Sequence, residues 1–224
     1  EFLGRVRALA ARNQVEMMTG GYYEPILIAI PDADKLGQMR KMSEAVQADF
    51  GVSASGLWLA ERVWEPHLPL ILARAGIEYT IVDDTHFRYV GLEDEDLFGY
   101  YVTEEQGHIL KVFGTSKHLR YIIPWEPVEE VIDYLHDQAT EDGIKVAVMG
   151  DDGEKFGLWP GTHEHIWRRG WMERFFKAIR RNADWLQMIL PGEYARRFPA
   201  LGRIYLPTAS YDEMGEWALP AQRS

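Results

Sequence analysis

Apolar positions recur along this chain first at helical and then at strand spacing, and the alternation repeats. Phe2 to Ala11 reads as a helix, Val15 to Met18 as a strand, Lys35 to Asp49 as a helix and Leu57 to Leu59 as a strand. Pro66 then opens a helix through Ala75 that Gly76 terminates, and a strand is expected from Tyr79 to Val82. A helix follows from Pro127 to Ala139, a strand from Val146 to Met149 and a long helix from His163 to Asn182. Between Leu97 and Thr115 the period changes: Tyr100-Tyr101-Val102, the turn Glu104-Glu105-Gln106-Gly107 and Ile109 to Phe113 predict an antiparallel hairpin. From Asp184 onward no clean period survives, and loop with short helix is expected.

Strands separated by helices of this length imply right-handed crossovers and a parallel sheet, so the fold class is α/β with an inserted β-hairpin. Four such strands are too few to close a barrel, which leaves either an open sheet or an incomplete chain. No repeat, low-complexity tract or linker interrupts residues 1–224, and one domain is expected.

With 46% hydrophobic and 12% aromatic residues, the chain can bury a sizeable core. No apolar run reaches membrane-spanning length, and Glu1 to Arg12 is charged rather than signal-like, so a cytoplasmic location is expected. A net charge of −11 opposes phosphate backbones and anionic lipid, so neither nucleic acid nor membrane is an expected partner. Arg168, Arg169, Arg174, Lys177, Arg180 and Arg181 form a basic stretch, but its spacing against Trp167, Trp171, Phe175 and Ile179 is that of an amphipathic helix with a solvated face. The absence of cysteine removes disulfides, thiol nucleophiles and Cys-ligated zinc, and fits a reducing compartment. Chemistry is left to carboxylates, His, Ser and Tyr.

The acids fall just beyond successive strands: Glu24 after the first, Glu61 after the second, Asp83 and Asp84 after the third, and Asp151-Asp152-Gly153-Glu154 after the fourth. In a parallel α/β sheet that edge is where substrates bind. Glu61 and Glu65 are four apart and could share an exposed helix face, but the apolar run before Glu61 and Pro66 just after it favour a functional turn. Three acids within four residues at Asp151 to Glu154 repel one another, which raises at least one pKa and suits a general acid. Two such settings, both flanked by tryptophan, suggest paired carboxylates working on a sugar. His163 and His165 beside the second cluster keep a metal-site reading open, although residues two apart on a helix diverge. Gly20-Gly21 and Gly150 to Gly153 lack phosphate-binding spacing. Of the eight tryptophans, Trp167, Trp171 and Trp185 are expected in the core, whereas Trp159 and Trp217, in Gly/Pro-rich loops, could form platforms for a pyranose ring.

Gly56-Leu57-Trp58-Leu59-Ala60-Glu61-Arg62-Val63-Trp64-Glu65-Pro66 and Asp151-Asp152-Gly153-Glu154-Lys155-Phe156-Gly157-Leu158-Trp159-Pro160-Gly161 resemble the third and fourth sequence regions of glycoside hydrolase family 57, closest to its 4-α-glucanotransferase and α-amylase members. Gly20-Gly21-Tyr22-Tyr23-Glu24-Pro25 resembles its second region. The resemblance implies part of an incomplete seven-stranded (β/α) barrel that acts on α-1,4-glucans with retention. It makes Glu61 the nucleophile and Asp152 the general acid/base, with Glu24, Trp58, Glu154, Trp159 and Trp217 binding substrate and no metal or cofactor required. An α-glucan or maltooligosaccharide is the implied partner, and a homodimer is left open. The family's first region, a His-Gln-Pro strand, and its fifth, an Asp-containing segment, have no counterpart in the chain. A fragment or truncated product is therefore expected, with activity on its own an open matter. The rival readings are a catalytically incompetent glucan-binding fragment and a metal-dependent carbohydrate hydrolase or deacetylase on a similar barrel.

Overall fold

The computed structural model describes residues 1–217, with side chains described through Gly215. Two compact units emerge: Glu1–Gly114 together with the chain from Leu190, and Thr115–Ile189.

The first unit begins with α1 (Phe2–Ala11), β1 (Met18–Thr19) and α2 (Asp32–Phe50). Pro31 holds extended backbone ahead of α2, Asp32 and Asp34 face its positive end, and Gly51 at φ 74° closes it in the left-handed conformation. Next come β2 (Gly56–Trp58), α3 (Leu68–Arg74), β3 (Tyr79–Asp83) and α4 (Asp84–Arg88). Every residue of β3 is buried, as expected for a strand covered on both faces. Gly56 is required by close approach, since a Cβ there would stand 2.1 Å from the Tyr79 ring.

β4 (Tyr100–Glu105) and β5 (His108–Thr115) form the expected antiparallel hairpin. Its two-residue turn is Gln106-Gly107, with both φ angles positive at 50° and 81°, the signature of a type I′ turn.

In the second unit lie α5 (Lys117–Ile122), α6 (Val128–Gln138) and α7 (Trp171–Arg181), packed through Leu119, Ile123, Val128 and Val131 around Trp171. The chain then rejoins the first unit as α8 (Pro191–Arg197), β6 (Gly202–Arg203) and α9 (Asp212–Trp217).

Among the described residues the sheet has six strands, in the order β1-β2-β3-β5-β4-β6. β1, β2 and β3 are parallel, and β6 runs parallel to β4. The fold is thus α/β, a partial barrel with its sheet open. Leu57, Leu59, Trp64, Leu72, Val82 and Val112 lie at the centre of its core. Among the described residues no helix is long and apolar enough to cross a membrane.

Four expectations are corrected. The first strand sits at Met18–Thr19 rather than from Val15, because only Met18 and Thr19 pair with β2, while Glu16 accepts a bond from the Gly192 N–H at 2.8 Å. Val146 to Met149 forms no ladder. Its neighbours Thr115 and Ser116 bond it only locally (Ser116 N–H to Val148 O, 2.7 Å; Gly150 N–H to Thr115 Oγ1, 2.8 Å) before Ser116 caps α5 and turns the chain away. The helix expected over His163 to Asn182 is broken: Glu164–Arg168 makes one π-helical turn, and Gly170 at φ 72° separates it from α7. β6, in the segment read as loop, adds a strand that its two-residue length conceals.

Candidate active site

Three parallel strands carry their C-terminal ends to one edge, and the loop after β2 is shaped around Glu61. Trp58 ends the strand, Leu59 and Ala60 are buried, and the chain makes a 3-10 turn over Ala60–Arg62. Within it Glu61 (φ 51°, ψ 14°) and Arg62 (φ 49°) are both left-handed. Each such non-glycine residue costs roughly 1–2 kcal/mol and persists only where its surroundings hold it. The shared helix face with Glu65 is thereby excluded, and Glu65 instead pairs with His67 at 3.0 Å.

What holds the turn comes from about 150 residues further on in the chain. The Ser210 hydroxyl donates to the Glu61 carbonyl at 2.5 Å, and the Tyr211 hydroxyl donates to Glu61 Oε2. Trp64 and Ala209 exchange backbone bonds of 2.8 and 3.2 Å, while Trp64 Nε1 donates to Leu206 O at 3.3 Å. His86, fully buried, sets Nε2 between Arg62 O (2.9 Å) and Ala209 O (3.2 Å) and Nδ1 against Asp83 O (3.0 Å). Burial lowers the imidazole pKa, and the surrounding carbonyls oppose that by favouring the cation. The Arg62 guanidinium lies 4.0 Å over the Tyr211 ring and 5.6 Å from that of Trp58, so Trp58 is engaged by a cation on one face.

Glu24 reaches the same edge after β1, exposed and also left-handed at φ 53°. Its loop is tied by the Tyr23 N–H to Gln38 Oε1 (2.9 Å) and by Lys41 standing 4.3 Å over the rings of both Tyr22 and Tyr23. Asp83 and Asp84 take structural roles. Asp83 caps α4 by accepting the Thr85 N–H at 3.3 Å, and Asp84 pairs with Arg88 at 3.2 Å. Burial and the adjacent Asp83 push Asp84 up to about 6, and its Oδ1 is buried without a hydrogen-bond partner.

In the second unit the acids after residue 150 divide. Asp151 is buried in an ion pair with Lys155 (2.5 Å) and Arg120 (3.5 Å), while Lys155 also donates to Arg120 O. The crowding of three like charges is therefore relieved at Asp151. Asp152 and Glu154 remain exposed, with the Asp152 N–H donating to Asp151 Oδ1 at 2.9 Å. The Glu154 carbonyl collects the N–H groups of Gly157, Leu158 and Trp159, and Trp159 is presented 41% exposed. Beneath the loop, Trp167 Nε1 donates to Phe156 O at 2.7 Å.

The tryptophans also depart from expectation in part. Trp171 is core, but Trp167 is 54% exposed because the π-turn swings it off the buried face of α7. Trp64, beside the acid in sequence, is fully buried. Trp185 is partly buried against His136, and the side chain of Trp217 lies outside the described residues. On the basic stretch, Arg168 and Arg169 reach toward Glu164, and Lys177 bonds Glu173 at 2.6 Å, as suits a solvated face. His165 Nε2 donates to Pro124 O at 2.7 Å, and the ring stacks on Trp125. Among the described residues no group of three or more His, Asp or Glu side chains is arranged to hold a metal ion.

Sequence reasoning singled out Glu61 and missed the groups that hold its turn: His86, Ser210 and Tyr211, with the Arg62 side chain. The available signal was slight, since Ser210-Tyr211 lies in a stretch without period and His86 follows Asp83 and Asp84 with no motif of its own.

An open, mostly parallel sheet with a clamped glutamate beyond one strand and a loop of exposed acid and tryptophan in the second unit defines an α/β protein of the incomplete-barrel class. The chain belongs to glycosyl hydrolase family 57, whose profile matches residues 1–207. It is 51% identical over 219 residues to alpha-amylase 1 of Dictyoglomus thermophilum, covering 98% of this chain and 32% of that protein. It is 45% identical over 224 residues to the 4-alpha-glucanotransferase of Thermococcus litoralis, covering 100% of this chain and 34% of that protein. The crystal structure of 4-alpha-glucanotransferase from Thermococcus litoralis superimposes with a TM-score of 0.94 over 99% of this chain and 35% of that one. The chain thus spans about a third of the length of the curated relatives it matches.

Proposed function

We propose that the protein is a retaining glycoside hydrolase or transglycosylase acting on α-1,4-glucans, with Glu61 as nucleophile and Asp152 as general acid/base. The observation that carries the reading is the Glu61 turn: two consecutive left-handed residues tied down by a distant segment, with a hydroxyl donated to the carboxylate. Strain of that kind collects where a side chain must be aimed. Family membership and relatives of both the amylase and the glucanotransferase name support the substrate class.

In the first step a Glu61 oxygen attacks the anomeric carbon, the glycosidic C–O bond breaks, and the departing oxygen takes the proton of Asp152. In the second, Asp152 accepts the proton of water or of an acceptor hydroxyl whose oxygen displaces Glu61. Retention requires carboxyl groups about 5–5.5 Å apart. Glu24, Trp58, Glu154, Trp159 and Trp217 bind the glucan in this reading, and exposure of Glu24, Glu154 and Trp159 supports three of those assignments. The whole chain is treated as one catalytic-barrel piece that needs no cofactor, with a cytoplasmic location and a homodimer belonging to the same proposal.

Incubation with maltooligosaccharides followed by product chromatography tests it. A ladder of longer and shorter glucans identifies transfer, and glucose with maltose alone identifies hydrolysis. Binding without any product in an otherwise folded sample contradicts the catalytic reading in favour of a binding fragment.

A further inference from the structure

The Tyr211 hydroxyl donates to Oε2 of Glu61, the side chain is buried, and the residue sits in the same segment that clamps the Glu61 backbone. We propose that Tyr211 is a positioning residue for Glu61, selecting which carboxylate oxygen attacks and receiving the charge when the carboxylate is released. The inference rests on Glu61 being the nucleophile and goes beyond it.

A carboxylate on a flexible stem has two equivalent oxygens and several rotamers, and attack demands one oxygen at one orientation. A donor on Oε2 removes the equivalence and leaves Oε1 as the attacking atom. The donor is itself fixed. Arg62 lies 4.0 Å over the Tyr211 ring, the Ser210 hydroxyl bonds the Glu61 carbonyl, and Ala209 is locked to Trp64 and His86. Tyr211 and Ser210 thus grip the side chain and backbone carbonyl of Glu61 and the side chain of Arg62, while Ala209 fixes the same segment to Trp64 and His86. A core tyrosine serving only to fill space would need any polar partner for its hydroxyl. Here the partner is the one carboxylate whose aim matters.

The chemistry uses this contact twice without moving the phenolic proton. While Glu61 attacks, its electron pair forms the C1–O bond and the hydrogen bond on Oε2 weakens as charge leaves. When the C1–O bond breaks in the second step, the pair returns to the carboxylate and the same hydrogen bond strengthens. Stabilisation that grows as charge develops lowers the barrier of that second step, while in the first step the contact acts by holding the aim of Oε1.

Tyr211→Phe keeps the ring beneath Arg62 and deletes only the hydroxyl. Two readouts are taken on this chain. Selective glutamate labelling with three-bond couplings reports the Glu61 rotamer without turnover, and kinetics on maltooligosaccharides report kcat and KM. Glu61 is expected in one rotamer in the parent and averaged over several in Y211F. Loss of a hydrogen bond to a charged group then lowers kcat about 10- to 100-fold, with KM changed by less than about twofold. An unchanged single rotamer in Y211F overturns the proposal, as does an unchanged kcat. Glu61→Gln separates the two layers. If E61Q retains turnover, the nucleophile assignment fails while the rotamer comparison still decides whether Tyr211 aims the side chain.

Discussion

Replacing His86 by alanine removes a ring that reaches three backbone carbonyls on separate stretches of the chain. Arg62 O loses its donor at 2.9 Å, Ala209 O keeps the Trp64 N–H at 2.8 Å but loses the imidazole at 3.2 Å, and Asp83 O loses its contact at 3.0 Å. A buried carbonyl left without its donor costs about 1–3 kcal/mol. The void left by the fully buried ring adds roughly 2 kcal/mol, so the total expected is about 3–5 kcal/mol. The left-handed pair Glu61-Arg62 is then free to relax, releasing roughly 1–2 kcal/mol per residue of conformational strain, which tempers the loss. Urea denaturation followed by tryptophan fluorescence reads the difference. A double-mutant cycle with Ser210→Ala adds the decisive comparison, because both residues hold the same turn. Coupling of at least about 0.5 kcal/mol is expected between them. A loss below about 1 kcal/mol for H86A, or strictly additive effects in the cycle, would refute the claim that the turn is held as a unit.

Two further outcomes follow from the buried charges. Lys155→Met leaves the buried Asp151 carboxylate with the Arg120 cation at 3.5 Å and the Asp152 N–H at 2.9 Å, so a loss of about 2–4 kcal/mol is expected, partly restored in the Asp151→Asn/Lys155→Met double variant; equal stability of K155M and parent in denaturation would contradict it. Asp84, pushed up to about 6 by burial and by Asp83, makes the folded state bind a proton more tightly than the unfolded state between about pH 4 and 6. Stability of the parent relative to Asp84→Asn therefore falls as pH rises through that window, by at most ~3 kcal/mol, and a flat difference curve in pH-dependent melts would oppose the assignment.

Much of this architecture is legible in the chain because its signals are local. The run Tyr79 to Val82 is apolar throughout and becomes the fully buried β3, and Gln106-Gly107 closes the hairpin where the turn residues stand. Gly76 ends α3 as its position indicates. The errors are non-local. Val146 to Met149 has strand composition but no strand partner, since Ser116 turns its neighbour into α5; composition carries no information about that. The break at Gly170 was visible as a glycine within a helical pattern, yet only the left-handed backbone there shows that the pattern contains two helices. The acids divide in the same way. Glu61, Asp152 and Glu154 could be picked out from their settings, but the neutralisation of Asp151 by Arg120 joins residues 31 positions apart. The clamp on Glu61 spans 150 positions to Tyr211, and no periodicity reports such a contact.

The assignment of Glu61 is tested most directly by trapping its covalent product. Asp152→Asn, which slows release, is treated with an activated α-glucosyl fluoride, then digested and read by tandem mass spectrometry. One hexosyl unit on the carboxylate of Glu61 is predicted, absent when Glu61→Gln is combined with the same change. A sugar attached to any other side chain, or product formation continuing in the Glu61→Gln variant, would contradict the nucleophilic role on which the mechanism is built.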